Sequence, residues 1–485
     1  MGRMGSLPRK RIYFIGIGGV AMGNIAILAH RMGYDVRGSD RKLHFPMEEL
    51  LRKNNIPHRE IFSVEYLKNF VPELVIVGNV VARGNEEVEY VLRKCPCAML
   101  SLPEFLSRHL IGNRRRIVIA GTHGKTTTSA MAAFYMQQLA IDCGYFIGGA
   151  PLNFDCGAHM GSENAPFILE GDEYDCAFFD KRSKFIHYMA NTAVINGIDF
   201  DHGDIFFDLR DVQRAFRHFL RTIPSDGHVL VNGDDPNVAA ILPAPWTKVL
   251  RVGWERGNDV KLQNFSQRND GSIWEVTWNG KLFSVETALH GEFNALNGTM
   301  AILACHSTMG TQPIGHINLR SFRGVRRRQE KCHEDANSII FEDFGHHPRA
   351  IAEVLRSLRS RFPQSELIAC FEPATQTSMR NIFEDAFCES FSLCNRCFWG
   401  QPRCLENIPE GERLRVDRVM ETLGKSITEA RYFPRNQQLL QHLLEILNCP
   451  RTLPGQRVVV LFSNGSFPQV ISHWKYHESS EITTP

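Results

Sequence analysis

Short apolar runs recur along this chain. Each stops abruptly at glycines or carboxylates, and amphipathic stretches of helical period separate them. The first lies in RIYFIGIGGVAMGNIAILAH, where an apolar run ends at Gly16, glycines follow and an apolar helix begins. Strand, glycine turn and helix in that order open a β-α-β unit. With ELVIVG (Glu73–Gly78), the pattern predicts a small parallel sheet up to about Gly112. A second series predicts a second parallel sheet: RIVIA from Arg116, PFILEGDEYD (Pro166–Asp175), TAVINGIDFDH (Thr192–His202) and GHVLVNGDD (Gly227–Asp235), separated by helical patterns. Near its end SIWEVTWNGKLFSVET alternates on both sides of Asn279-Gly280, the signal of a tight hairpin, expected as a small antiparallel appendage before a helix from about Asn294. A third series, NSIIFEDF, IAEVLRSLRSRF, ELIACFEP and RVVVLFSNGSF, predicts another open α/β sheet with sites at the carboxyl ends of its strands. The tail after about Trp474 is polar and expected to fray.

Composition changes this picture little. The chain has 485 residues and a formal net charge of +2, which argues against a dedicated nucleic-acid binder; the basic runs Arg114–Arg116 and Arg326–Arg328 point instead to anionic groups met locally. No apolar segment is long enough to insert in a membrane, and the N-terminus lacks the apolar core of a signal peptide. A match to the N-myristoylation pattern at Gly2 and Ser6 is too short to carry weight. Thirteen scattered cysteines suit a reducing cytoplasm, and Cys388, Cys394, Cys397 and Cys404 read as buried thiols rather than zinc ligands, because paired Cys-x-x-Cys knuckles are missing.

The chemistry is concentrated in IVIAGTHGKTTTSA. A strand, a tight loop Gly121-Thr122-His123-Gly124 and a helix bearing Lys125, Thr126 and Thr127 make a phosphate cradle. Backbone N–H groups and the helix N-terminus favour an anion, Lys125 adds a mobile charge, and the Thr126 hydroxyl can ligate Mg²⁺. Only two residues separate the glycines, where the usual phosphate loop has four. Hard ligands are then expected at neighbouring strand ends: Glu170, Asp172, Glu173 and Asp175 in one cluster, Asp199, Asp201, His202 and Asp204 in the other. Alone, each reads as a solvated loop; together, on the sheet that carries Lys125, they favour one or two Mg²⁺ ions.

GTHGKTTT, EGDEYD, FDH, GEFNALN, GVRRRQE and EDFGHHP occur in the order found in the Mur ligases, which the chain resembles from about Arg11 to Phe467. The resemblance implies an ATP-dependent, amide-forming enzyme of bacterial cell-wall synthesis, cytoplasmic, with three α/β domains. These are a Rossmann-like UDP-sugar domain (1–112), a central P-loop ATPase-like domain (113–315) and a Rossmann-like C-terminal domain (316–485). It implies ATP and Mg²⁺ as cofactors and UDP-N-acetylmuramate as a substrate. RGNEEVE (Arg83–Glu89), EGDEYDCAFFDKRSKFIHY (Glu170–Tyr188) and FSNGSF (Phe462–Phe467) resemble the branch that adds a recycled murein tripeptide, L-alanyl-γ-D-glutamyl-meso-diaminopimelate, rather than the branch that adds L-alanine.

Residue by residue, the resemblance puts Lys125 on the ATP phosphates, Thr126 near Mg²⁺, and Glu170 and His202 at two metal positions. Asn294 and Asn297 match an adenine-contacting element in which Phe293 replaces histidine; a plain helix cap is the alternative. Arg328 matches an arginine reaching phosphate from the third domain, with Arg326 and Arg327 read as solvated. Asp343 and His346 match residues near the ATP ribose and phosphates. Gly16, Gly18 and Gly19 would face the UDP diphosphate, with Asp40 near the uridine. One departure bears on the peptide. The branch usually reads F-E-P-R-S-N-T-S-R-R where this chain has FEPATQTSMR, so Ala374 and Met379 stand where arginines are common, while Thr377 and Arg380 remain. Arginine is the natural carboxylate clamp, so the peptide substrate is less firmly implied than the ligase chemistry. Lys181, Arg182 and Lys184 form a charge run that reads as solvated surface unless substrates reach it. From other classes, a Rossmann oxidoreductase would explain Gly16–Gly23 but not Lys125, and a non-catalytic UDP-sugar-binding protein would explain the first segment only.

Overall fold

The computed structural model describes residues 10–45, 47–465 and 467–477; Gly2, Ser6 and the tail beyond His477 lie outside them. Three α/β sheets follow one another along the chain. The first holds β1 (Arg11–Ile15), β2 (Asp35–Ser39), β3 (His58–Arg59), β4 (Leu74–Val77) and β5 (Ala98–Ser101), all parallel in the order β3-β2-β1-β4-β5. The glycine turn after β1 therefore sits where strand order reverses, the usual ligand position of an open parallel sheet.

The central sheet is larger than the sequence pattern suggests. It contains β6 (Arg116–Ala120), β7 (Gly144–Phe146), β8 (Ala158–His159) and β9 (Phe167–Gly171). After a separate two-stranded hairpin, β10 (Asp175–Ala177) and β11 (Asp180–Ser183), come β12 (Thr192–Ile195), β13 (His228–Asn232), β14 (Lys248–Gly253), β15 (Val260–Arg268), β16 (Gly271–Trp278), β17 (Lys281–Thr287) and β18 (Gly315–Leu319). The order is β18-β17-β16-β15-β14-β13-β12-β6-β9-β7-β8. The β16–β17 hairpin turns at Asn279-Gly280 as expected, both with positive φ, but it is no appendage. Its inward residues Trp274, Val276 and Val285 are fully buried under the Glu292–Met309 helix, so it must continue the sheet. The β10–β11 hairpin and a short turn, rather than an α-helix, link β9 to β12.

The third sheet comprises β19 (Glu330–Glu334), β20 (Ser338–Asp343), β21 (Leu367–Phe371), β22 (Arg396–Trp399), β23 (Glu429–Tyr432) and β24 (Arg457–Phe462). Their order is β19-β20-β24-β21-β22-β23, parallel except for the antiparallel edge β19.

Two helices fix the middle of the molecule. Lys125–Gln138 and Glu292–Met309 are buried along most of their lengths and pack on each other, as helices without a polar face must. On the opposite face of the central sheet, Phe185, Phe216 and Phe219 belong to an apolar cluster continuous with the core of the first sheet. Cys95 and Cys97 lie side by side with their Cα atoms 5.3 Å apart. Of the candidate zinc cysteines, Cys394 and Cys397 are buried, Cys388 is intermediate and Cys404 is exposed. Among the described residues these four form no metal-binding group, and no helix is long and apolar enough to cross a membrane.

Glu87 ties the first sheet together from inside RGNEEVE. Its Oε1 accepts from the Tyr13 hydroxyl (2.8 Å) and the Ser63 N–H (2.8 Å), and its Oε2 accepts from the Ser39 hydroxyl (2.5 Å). Burial pushes the Glu87 carboxyl above its usual range against these donors. Its contribution to stability is therefore full below the ordinary glutamate pKa and is lost as pH rises through the raised one. Glu87→Ala should cost about 2–4 kcal/mol by stranding buried donors. Glu87→Gln should flatten the decline in stability toward neutral pH. Denaturant unfolding at pH 5 and 7 measures both effects; a cost near zero for the alanine variant would refute the network.

Candidate active site

The phosphate loop follows β6 at the reversal of strand order in the central sheet and is built on two strained glycines. Gly121 has φ +128°, and a Cβ there would meet the backbone of Asn196 and Gly197 at 3.0 Å. Gly124 caps the helix at φ +77°, where a Cβ would lie 2.5 Å from Asn297 Oδ1. Beneath the loop runs a buried polar network. Thr128 Oγ1 donates to Asn297 Oδ1 (3.1 Å), and Asn196 Nδ2 donates to Thr128 Oγ1 (2.8 Å). Asn297 Nδ2 donates to Asn294 Oδ1 (3.2 Å), and Asn294 Nδ2 to the His290 carbonyl (2.8 Å). Asn294 and Asn297 are thus buried supports of the loop. The helix cap is Gly291, so neither asparagine is the N-cap.

Above the loop, cations and carboxylates neutralise one another. Lys125 Nζ is 2.5 Å from Glu173 Oε2, and Lys184 Nζ is 2.6 Å from Asp172 Oδ2. Burial disfavours the Lys125 ammonium, but Glu173 and Asp172 outweigh it and raise its pKa. Burial likewise opposes the Asp172 carboxylate, and Lys184 and Lys125 overcome that, drawing its pKa down to about 2. Thr126 Oγ1 donates to Glu170 Oε1 (2.7 Å), whose Oε2 accepts the Gly148 N–H (2.7 Å).

The expected metal set of Thr126, Glu170 and His202 is divided. Thr126 and Glu170 touch, whereas His202 groups with Asp172 and Glu173, with ligand atoms all within 4.8 Å of one another. Glu173 Oε1 is buried without a hydrogen-bond partner. An orphaned carboxylate oxygen beside a carboxylate and an imidazole fits a divalent cation.

The third sheet is docked onto this loop. His346 Nε2 lies 3.0 Å from Asp201 Oδ2, and Arg349 Nη1 lies 3.3 Å from Asp199 and 2.9 Å from Asp235. Asp199 also pairs with His123 (3.0 Å), whose ring is 4.8 Å from that of His347. Burial pushes His347 down to about 3, a neutral ring at physiological pH. Asp343 is pinned by the N–H groups of Gly345 (2.7 Å) and Gln329 (2.8 Å), and burial raises its pKa. The Arg328 guanidinium lies over the Phe344 ring at 4.7 Å; burial lowers its pKa, while Asp343 and Glu170 oppose the fall. Arg327 is not solvated, contrary to expectation. Its guanidinium bonds Glu342 (2.6 Å) and the Ser463 carbonyl (2.7 Å), joining the ends of β20 and β24. Arg326 is exposed and pairs with Glu330.

In the first sheet, Gly16 (φ +88°), Gly18 and Gly19 form the turn after β1. Asp40 Oδ2 accepts the Gly18 N–H at 2.8 Å, so Asp40 is part of the loop itself. The Lys181–Lys184 run also divides. Lys181 and Arg182 are mostly exposed and pair with Asp175 and Asp180, and only Lys184 enters the cluster beside Lys125. Met379 is buried at 2% exposure. Asn196, His347, Arg349 and Asp235 were not singled out from sequence. The adjacent histidines before Pro348 mark the loop, but nothing local names the aspartates that it meets.

A phosphate loop at the reversal of one parallel sheet, roofed by basic residues from a second, defines a nucleotide-using α/β enzyme with a mobile-charge clamp. Two family models match: the Mur ligase family catalytic domain over residues 11–113 and the Mur ligase middle domain over residues 119–305. The UDP-N-acetylmuramate–L-alanyl-γ-D-glutamyl-meso-2,6-diaminoheptandioate ligase of Escherichia coli (strain K12) is 39% identical over 396 residues, 81% of this chain and 85% of that protein. The UDP-N-acetylmuramate–L-alanine ligase of Hydrogenobaculum sp. is 29% identical over 391 residues, 80% of this chain and 84% of its own length. Among solved structures, a murein peptide ligase from Psychrobacter arcticus matches with a TM-score of 0.65 and 29% identity, covering 98% of this chain and 100% of that one. The chain belongs to the Mur ligase family, ATP-dependent ligases that form C–N bonds.

Because a Cβ on Gly124 has no room and its φ is left-handed, Gly124→Ala should reduce ATP turnover at least about a hundredfold. UDP-sugar binding by calorimetry should persist. Near-normal turnover would refute the loop assignment.

Proposed function

We propose that the chain joins the carboxylate of UDP-N-acetylmuramate to the amine of a recycled murein tripeptide, L-alanyl-γ-D-glutamyl-meso-diaminopimelate, in the bacterial cytoplasm. The observation that carries the ligase chemistry is the convergence of Lys125, Thr126, Glu170, Glu173 and His202 at the ends of β6, β9 and β12. The choice of tripeptide over L-alanine is supported by 39% identity to a tripeptide ligase against 29% to an L-alanine ligase.

In this reading the first sheet holds the UDP moiety at Gly16, Gly18 and Gly19, with Asp40 near the uridine. The central sheet holds ATP at Gly121–Thr127, and the third sheet, with the loops at its strand ends, closes over it. The γ-phosphoryl group of ATP passes to the sugar carboxylate, giving an acyl phosphate and ADP. The peptide amine attacks the acyl carbon, and the tetrahedral intermediate collapses to amide and phosphate. Two anions must be brought together, so positioned cations do most of the work. Lys125 leaves Glu173 to meet phosphate, and Arg328 meets the same charge from the other side. Thr126, Glu170 and His202, with Asp172 and Glu173, would hold Mg²⁺. Mg²⁺, when bound, neutralises phosphate charge. Asn294 and Asn297 support the loop from below and would influence adenine through it, while Asp343 and His346 stand near the ribose and phosphates.

The direct test is purified protein with UDP-N-acetylmuramate, Mg²⁺-ATP and a panel of amines. The tripeptide should be used far better than L-alanine; efficient use of L-alanine with the tripeptide ignored would turn the reading to the alanine-adding enzyme. Lys125→Ala should lower ligation by about a hundredfold or more with UDP-sugar binding retained. Glu170→Ala and His202→Ala should raise the Mg²⁺ concentration for half-activation. The same half-activation in variants and parent would remove both residues from the metal set.

A further inference from the structure

The β10–β11 hairpin and the turn after it gather three metal-ligating side chains that the phosphate site does not use. The two strands pair Asp175 with Ser183 and Ala177 with Asp180, so a single residue, Cys176, faces two, Lys181 and Arg182. That bulge sets the Cys176 thiol against the Arg182 carbonyl, to which it donates at 3.1 Å. His187 follows in the short 3-10 turn Lys184–Tyr188, which Phe185 and Tyr188 anchor in the core. Cys176 Sγ, a carboxylate oxygen of Asp180 and a ring nitrogen of His187 all lie within 4.8 Å of one another. All three are enclosed: Cys176 is 2% exposed, and the side chains of Asp180 and His187 are 10% and 7% exposed.

The group is incompletely satisfied. His187 Nε2 lies 2.8 Å from Asp180 Oδ2 yet out of line for a hydrogen bond, and among the described residues this buried nitrogen has no hydrogen-bond partner. Asp180 is meanwhile held by Arg182: its Oδ1 accepts the backbone N–H (3.1 Å) and Nε (2.9 Å), and its Oδ2 accepts Nη2 (2.7 Å). The Arg182 side chain is 61% exposed, so its hold on Oδ2 is cheap to give up. The two bonds to Oδ1 would remain and orient the carboxylate toward an ion. Glu104, on the neighbouring helix Leu102–Phe105, pairs with Arg108 at 2.9 Å and is not one of the group.

A sulfur, an imidazole nitrogen and one carboxylate oxygen suit Zn²⁺, whereas Mg²⁺ takes oxygen ligands. Tetrahedral zinc needs ligand atoms about 3.3–3.6 Å apart. The present spacing brackets that range, from 2.8 Å between His187 and Asp180 to the 4.8 Å limit of the group. We propose that Cys176, Asp180 and His187 bind a structural Zn²⁺, separate from the group formed by Asp172, Glu173 and His202, with water in the fourth position. Binding replaces the Cys176 thiol proton, which leaves to solvent, and no electron is transferred. The ion cross-links the hairpin to the turn and so fixes Lys184, which lies between them and pairs with Asp172. The site does not depend on which amine the enzyme joins.

The experiment uses the full chain, stripped with a chelator, returned to excess Mg²⁺ and titrated with Co²⁺ or Zn²⁺ alone. Wild type should take up Co²⁺ with a thiolate-to-cobalt charge-transfer band, and Zn²⁺ should displace it. Cys176→Ser should lose the band. His187→Gln should weaken Zn²⁺ at least about tenfold in competition with a chromophoric chelator, since even outer-shell partners of a metal are worth that much. Zn²⁺ should raise the Tm of wild type and leave that of Cys176→Ser unmoved. Each protein is compared with itself, so a variant of lowered stability still reports. A charge-transfer band that survives in Cys176→Ser puts the thiolate ligand elsewhere in the chain and overturns the proposal. So does a wild type that takes up neither ion over Mg²⁺, or a His187→Gln variant that binds Zn²⁺ as tightly as wild type.

Discussion

A buried ammonium cannot stay uncompensated, and the middle of this molecule is arranged around that constraint. Lys125 sits at the first turn of a helix enclosed by other elements, where an unpaired charge would cost several kcal/mol. Glu173, delivered by the segment after β9, supplies the counter-charge at 2.5 Å. Glu173 comes with Asp172, which needs Lys184 in turn. The hairpin between β9 and β12 then has a reason to replace the helix that the sequence pattern predicts: it returns Lys184 to the strand end it has just left. Substrate phosphates and metal would re-partition these pairs rather than meet bare charges.

The same logic joins the sheets. Asp199, Asp201 and Asp235 crowd the ends of β12 and β13, and their partners Arg349 and His346 come from the third sheet. Burial opposes the Asp201 carboxylate, yet His346, His202 and His347 hold it well below the usual range, so this junction strengthens above the ordinary aspartate pKa and weakens as pH falls toward the depressed one. Beside this junction the Arg328 guanidinium lies over the Phe344 ring, within electrostatic reach of Asp343 and Glu170. The pairs that dock the third sheet are the same pairs that compensate the aspartates.

How legible the site was depended on how local its cause is. The phosphate loop reads directly from GTHGKTT because glycine strain, helix start and lysine lie within seven residues of each other. Arg349 reads as nothing in particular, because its partners Asp199 and Asp235 are 150 and 114 residues away. Arg327 looked solvated for the same reason: it bonds a carbonyl 136 residues on. The hairpin around Asn279-Gly280 was visible as a hairpin, since its turn chemistry is local, but its place in the sheet depends on the helix that covers it. Gly18 and Asp40, 22 residues apart, were both named from sequence, yet only their contact reveals that the acid is part of the glycine turn.

The residues that would activate the sugar and those that would choose the amine are carried by different sheets. Lys125, Thr126, Glu170, Glu173 and His202 all extend from the central sheet; Lys125 pairs with Glu173, Thr126 bonds Glu170 and His202 lies beside Glu173, so losing Lys125 or Glu173 strands the charge of the other. Among the described residues, the loop from Glu372 to Arg380 meets the segment after His202 at Gly203, through Thr377 and Arg380, and otherwise hydrogen-bonds within the third sheet or its surface. Substituting Ala374 or Met379 for arginine therefore removes charge without leaving a buried partner unpaired. A neutral residue at either place is tolerable to the fold, whereas one at Lys125 is not. That asymmetry lets this loop carry the neutral Ala374 and Met379 while the charge pairs of the central sheet stay intact.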